Sequence, residues 1–145
     1  MYNQFISNEI SSMDIDANDY KKPFSGFSGI LFALPAIIDY PIYKSIWITQ
    51  AIVSVLADYF YIDRKHCIHG IDRIFANINL IRILYIIFTF NGWHALVSWI
   101  MVLLSFNCFF LAKYYKKNGP KWVFWHGCWH IIAAPGCFLV IFLNK

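Results

Sequence analysis

The sequence predicts an all-α fold, a polytopic transmembrane bundle of about five helices, with four spans as the alternative. Hydrophobic residues make up 59% of the 145 residues, whereas charged residues make up only 14%. Soluble domains carry about 25% charged residues, so this chain has too little polar surface to remain in water alone. The mean hydropathy of +0.52 agrees with that interpretation. Its apolar residues also form segments near the ~20 residues that a helix needs to cross a bilayer.

The chain divides into a polar tail, residues 1–24, which we expect to be disordered, and a transmembrane domain, residues 25–145. Pro35 and Pro41 interrupt the first apolar segment, and Arg82 lies inside the third. Tyrosine and tryptophan cluster at the ends of the segments, as in interfacial aromatic belts. The five predicted spans cover residues 25–43, 45–62, 69–90, 93–114 and 122–143.

Lysine and arginine predict the orientation of the bundle. With five spans, the basic residues before the first span and those around segments 63–68 and 115–121 all fall on one side. The positive-inside rule places that side in the cytoplasm. The N-terminus is therefore predicted to be cytoplasmic and the C-terminus luminal or extracellular. Arg82 needs a partner within the membrane, and Asp39 at the outer end of the first span is the candidate.

Polar residues of three predicted helices lie at one depth. His126 and His130 are four residues apart in the last span, and Ser54 and Asp58 are four apart in the second. A rise of about 1.5 Å per residue places both pairs in the cytoplasmic half, level with the start of the third span. His69 and Asp72 lie at that start. Ionisable groups are costly in a bilayer and usually functional, so this shared depth predicts a site.

Histidine residues four apart share a helix face and can bind one metal ion together. Catalytic zinc usually has three protein ligands and one open position. His126 and His130 would supply two ligands, and either Asp58 or His69 would supply the third. A neighbouring carboxylate could act as general base and a serine hydroxyl could orient a reacting group. Soluble zinc proteases carry glutamate directly after the first histidine, where this chain has Gly127.

Each candidate also has a structural interpretation. Intramembrane histidines often form hydrogen bonds between helices. Asp58 could pair with Arg64 or Lys65 at the end of its helix. Asp72 could cap the start of the third span or pair with Arg73.

The ordered set Ser54-x-x-x-Asp58, Asp72 and His126-x-x-x-His130 resembles the CREST superfamily of membrane hydrolases. That superfamily includes the alkaline ceramidases, the progestin and adipoQ receptors and the Per1-like proteins. The resemblance implies a zinc site near the cytoplasmic side and hydrolysis of lipid amides or related bonds. It matches Ser54, Asp72, His126 and His130 to family positions. Asp58 replaces the family's first zinc histidine unless His69 has that role, and the chain has about five spans instead of seven.

These patterns predict a zinc-dependent membrane hydrolase that acts on a lipid amide or ester, with Ser54 and Asp72 as catalytic residues. The alternative is a small non-catalytic multi-pass protein with an assembly, carrier or structural role, in which the polar cluster is a buried hydrogen-bond network. Membrane lipids are the expected partners, and the modest net charge of +4 argues against nucleic acid. The oligomeric state stays open, with a homo-oligomer among the alternatives.

Overall fold

The computed structural model describes residues 22–61, 66–115 and 119–145, and all regular secondary structure in these ranges is helical. This confirms the predicted all-α class for that part of the chain. The elements, in chain order, are α1 (Lys22–Gly29), a 3-10 segment (Ile30–Ala33), α2 (Leu34–Ile38), α3 (Pro41–Val55), a π-helical segment (Leu56–Phe60), α4 (Ile68–Phe88), α5 (Gly92–Tyr114) and α6 (Pro120–Leu143).

The first predicted span differs in its boundaries. The chain is already helical from Lys22, three residues before the predicted start, and the expected tail up to residue 21 lies outside the described residues. The helical run ends at Asp39, which has an extended backbone. Pro41 then begins α3, so this helix starts four residues before the predicted second span. Proline favours the first helical position and disfavours helical geometry in the residue before it, which explains the break.

The end of α3 changes its winding at Asp58. Residues Leu56–Phe60 form a π-helical segment, and the Tyr61 amide donates to the carbonyl oxygen of Leu56 five residues earlier (3.0 Å). Short π-helical turns are rare and are frequent at functional sites, because they redirect side chains that a regular helix would point elsewhere. Asp58 is buried within this turn.

Two helices of the described ranges are long and apolar enough to cross a membrane. They are α5, with 23 residues and a hydropathy of 2.1, and α6, with 24 residues and a hydropathy of 1.7. Only 17% of the apolar stretch of α5 and 33% of that of α6 is buried inside the protein. The helices therefore differ from the mostly buried core helices of a soluble protein and indicate association with a membrane. Beyond these two, the predicted number of spans remains a prediction.

Helix α6 organises the packing, because it contacts α5, α1, α2 and α4. The main core contains Trp47, Ile87 and Ala134, each at most 1% exposed. Glycine residues allow α1 to approach its neighbours closely. A Cβ atom at Gly26 would lie 2.6 Å from Cβ of Tyr59, and one at Gly29 would lie 2.9 Å from Oγ of Ser54.

The predicted partner of Arg82 is confirmed. Both terminal nitrogens of its guanidinium donate to the Asp39 carboxylate, and the Nη2–Oδ1 distance is 2.6 Å. Trp47 Nε1 donates to Asp39 Oδ2 at 2.7 Å, and the Arg82 guanidinium lies 3.6 Å above the centre of the Tyr43 ring. This network joins α4 to α3 and to the end of α2.

Candidate metal centre

The π-helical segment and α6 bring three predicted ligands together. Oδ2 of Asp58 lies 2.8 Å from Nε2 of His126 and 3.7 Å from Nε2 of His130. Each residue offers one ligand atom, and these three atoms lie within 4.8 Å of one another. Among the described residues, these three side chains form the group that could bind a metal ion. The carboxylate comes from a position 68 residues before His126, so the tertiary fold creates this cluster.

Aromatic rings fix the orientation of both imidazoles. The Trp122 ring, one turn before His126, stacks on it with centres 4.5 Å apart and planes inclined by 14°. The Phe32 ring contacts His130 edge-on at 5.2 Å. His130 and Asp58 are buried, with 1% and 6% of their surfaces exposed. An apolar enclosure of this kind strengthens electrostatic interactions between the groups inside it.

The chemistry of the donor set fits a zinc ion. Two imidazole nitrogens and one carboxylate oxygen are a common protein ligand set of catalytic zinc, which keeps a further position open. Neutral imidazole and carboxylate also bind other divalent transition metals, so the donor set alone does not select zinc. The same atoms can instead form a hydrogen bond, since His126 Nε2 and Asp58 Oδ2 are at hydrogen-bonding distance.

His69, the alternative third ligand, lies beside the triad. Its Nε2 atom is 2.9 Å from the carbonyl oxygen of Tyr61, while the side chain interacts electrostatically with Asp58. The structure thus brings Asp58 into the triad, whereas His69 contacts the backbone of Tyr61. Arg64 and Lys65, the alternative partners of Asp58, lie outside the described residues.

Asp72 lies close to the triad but is held by a different helix. Its Oδ1 atom accepts a hydrogen bond of 2.9 Å from Nε2 of Gln50 on α3. The carboxylate interacts electrostatically with Asp58 and His126, so both aspartates belong to one polar region. The N-cap residue of α4 is Cys67, so Asp72 lies inside the helix and does not cap it.

Ser54 lies one turn before Asp58 and is 1% exposed. A Cβ atom at Gly29 would lie 2.9 Å from Ser54 Oγ, so the hydroxyl faces α1, and it forms no hydrogen bond with any of the residues that the structure describes. Ser54 is therefore buried one turn before Asp58 and against α1.

Sequence reasoning missed two residues of the region. Gln50 continues the Ser54–Asp58 row by one further turn, so its spacing was a usable signal. Ser28 had no such signal. Its Oγ atom lies 2.8 Å from Nδ1 of His130, at a sequence separation of 102 residues.

Comparison with protein families, with curated proteins and with solved structures gives no match for this chain. The resemblance to the CREST superfamily therefore rests on the site residues.

Proposed function

We propose that this chain is an integral membrane hydrolase that uses a zinc ion to cleave a lipid amide or ester. The observation that carries the proposal is the convergence of Asp58, His126 and His130, whose ligand atoms lie within 4.8 Å of one another. This set combines two neutral nitrogen donors with one anionic oxygen donor. It therefore has the composition and number of protein ligands that catalytic zinc sites use.

The membrane setting supports a lipid substrate. Helices α5 and α6 have mostly exposed apolar surfaces, which a bilayer would cover. We propose that α3 with its π-helical segment, α4 and the α1–α2 run also cross or enter the bilayer, giving the five-helix bundle. The basic residues then place the N-terminus in the cytoplasm and the metal ligands in the cytoplasmic half.

The side chains around the triad have separable roles in this proposal. A bound zinc ion would activate water and polarise a carbonyl group. Asp72, which accepts a hydrogen bond from Gln50, would accept a proton as general base. Ser54, one turn before Asp58, would orient the substrate carbonyl or the attacking water with its hydroxyl.

The substrate class comes from the resemblance to the CREST superfamily. The positions of Ser54, Asp72, His126 and His130 in the sequence follow that family's order, and both histidines belong to the triad. Hydrolysis of a ceramide-like amide or a related ester is the activity that this likeness implies.

The alternative is a non-catalytic membrane protein whose polar cluster stabilises the bundle. A specific observation favours it, namely the 2.8 Å distance between His126 Nε2 and Asp58 Oδ2, which is a hydrogen-bonding distance. Some buried hydrogen-bonded pairs of this kind have a purely structural role, in which they fix the packing of helices.

Metal analysis decides between the two functions. Protein purified in detergent without chelators should contain about one zinc ion per chain. His126→Ala and His130→Ala should each remove it, because a two-ligand remnant binds weakly. His94→Ala is the matched control, since His94 is exposed and lies in α5 away from the triad. Wild-type protein without stoichiometric metal, or full metal content in both variants, would contradict the zinc site.

Two further variants test the roles of the neighbouring groups. Asp72→Ala should retain the metal and slow hydrolysis of a short-chain ceramide in mixed micelles by about 100-fold or more, the usual size of a general-base contribution. Ser54→Ala should also retain the metal and slow hydrolysis, because it removes the hydroxyl that orients the reacting group. Asp58→His should retain or strengthen zinc binding by supplying a third imidazole. Loss of metal in Asp72→Ala would instead make Asp72 a ligand.

A further inference from the structure

We infer that Ser28 is a positioning residue for His130, in which the serine oxygen accepts a hydrogen bond from Nδ1–H and thereby directs the lone pair of Nε2 at the metal. The inference rests on the proposed metal site. It assigns a role to a residue of α1, an element that supplies none of the three ligands.

The geometry places Ser28 and Asp58 at opposite ring nitrogens of His130. Nδ1 lies 2.8 Å from Ser28 Oγ, and Nε2 lies 3.7 Å from Asp58 Oδ2. The second distance is longer than a hydrogen bond, but it suits two atoms that bind one ion between them. The His130 ring therefore lies between Ser28 of α1 and the Asp58 carboxylate.

The tautomer of His130 decides whether it can bind a metal. A neutral imidazole carries one N–H and one lone pair, and a metal ion requires the lone pair. Ser28 and His130 are 7% and 1% exposed, so water has little access to this contact. An acceptor at Nδ1 holds the proton there, so the lone pair is on Nε2, the atom that faces Asp58. Partners of this kind raise the basicity of a histidine ligand and fix its ring.

Close contacts of α1 fix the position of Ser28. Gly26 and Gly29 flank Ser28 on either side in sequence and lie against Tyr59 and Ser54, where a Cβ atom would approach to 2.6 and 2.9 Å respectively. The absence of side chains at both positions lets the helix backbone come close to the segment that holds Asp58. The distance between Ser28 and His130 is thus set by backbone packing on two sides.

The test measures metal affinity instead of hydrolysis. Wild-type protein, first stripped of metal with a chelator, is titrated with Co²⁺ and with Zn²⁺ in competition with a chelating dye. We expect Ser28→Ala to bind both ions about 10- to 100-fold more weakly than wild type, the usual loss when an outer partner of a ligand is removed. Ser98→Ala is the matched control, since this serine of α5 is also fully buried and should retain the wild-type affinity.

A second pair of variants separates the effect of the hydroxyl oxygen from the effect of side-chain volume. Threonine and valine have nearly the same volume, but only threonine carries an acceptor oxygen. Ser28→Thr should therefore bind Co²⁺ about 10- to 100-fold more tightly than Ser28→Val. This difference should remain even if both larger side chains displace α1, because they displace it equally. The visible spectrum of bound Co²⁺ should show the same ligand set in each variant.

The outcomes distinguish the two hypotheses. If wild type binds metal and Ser28→Ala binds it within about twofold of wild type, the role of Ser28 is refuted while the metal site stands, since an outer partner would cost more. Equal affinities of the threonine and valine variants would refute it as well. If wild type binds neither ion, the proposed function itself fails.

Discussion

Removing Arg82 should destabilise the bundle strongly, because it would leave the Asp39 carboxylate buried without its counter-charge. The Asp39 side chain is 0% exposed and accepts hydrogen bonds from Arg82, from Trp47 Nε1 and from the Tyr40 amide. Arg82→Met removes the bidentate pair and retains the other two donors. Breaking a buried pair from one side costs about 3–5 kcal/mol.

We expect a value near the lower end of that range, about 3 kcal/mol, because two donors remain on the carboxylate. In a domain of this size, a loss of about 1 kcal/mol in the free energy of unfolding lowers the melting temperature by about 2–4 °C. The unfolding midpoint should therefore fall by about 6–12 °C. The assay is thermal unfolding in detergent, followed by helical circular dichroism, with a chelator present so that metal binding does not contribute.

Arg73→Met is the matched control, because Arg73 is exposed on the same helix and its removal should change stability by less than about 0.5 kcal/mol. Adding Asp39→Asn to Arg82→Met should recover part of the loss, since the neutral amide no longer needs a counter-charge. If Arg82→Met lowers the free energy of unfolding by less than about 1 kcal/mol, the reasoning is refuted, because exposed ion pairs contribute about that much to stability.

Three further predictions follow from the packing and the charges. Gly26→Ala should destabilise the fold by about 1–3 kcal/mol in the same assay, whereas Gly70→Ala, with open space around it, should be neutral or stabilising. Cys67, an exposed cysteine within the predicted cytoplasmic segment 63–68, should react with an impermeant thiol reagent only from the cytoplasmic face. Gln50→Leu should leave metal content unchanged and slow hydrolysis, because it removes the donor that holds Asp72.

Each of these has a clear opposing result. Equal stabilities of the two glycine variants would show that α1 does not pack closely on Tyr59. Labelling of Cys67 from the external face would reverse the proposed orientation. An unchanged rate in Gln50→Leu would remove Asp72 from the proton transfer, provided that wild type hydrolyses the lipid.

The sequence predicted those parts of the structure that depend on helical periodicity and on the cost of burying charge. The all-α class, the shared face of His126 and His130 and the pairing of Arg82 with Asp39 all depend on these two constraints. A buried arginine needs a counter-charge near its own depth, and the chain offers few acidic residues inside its apolar segments. The prediction of that partner was therefore well constrained.

The boundaries and the contacts between distant segments were less predictable. Pro41 both ends one helical run and begins the next, and hydropathy alone does not locate that change. The π-helical turn around Asp58 has no signature in residue type, although it sets the direction of the carboxylate. The placement of Asp58 at both histidines thus depends on backbone winding that spacing rules omit.

The contact of Ser28 with His130 shows why the rest of the site lies beyond sequence patterns. A serine in a short glycine-flanked helix is unremarkable by composition, and 102 residues separate it from its partner. Ser28 matters because α1 packs on the π-helical turn that contains Asp58, and because the Ser28 hydroxyl contacts the His130 ring of α6. Periodicity finds residues that share one helix face. A site assembled by three elements requires the distances between them, and here those distances connect the placement of α1 with the ability of His130 to bind a metal ion.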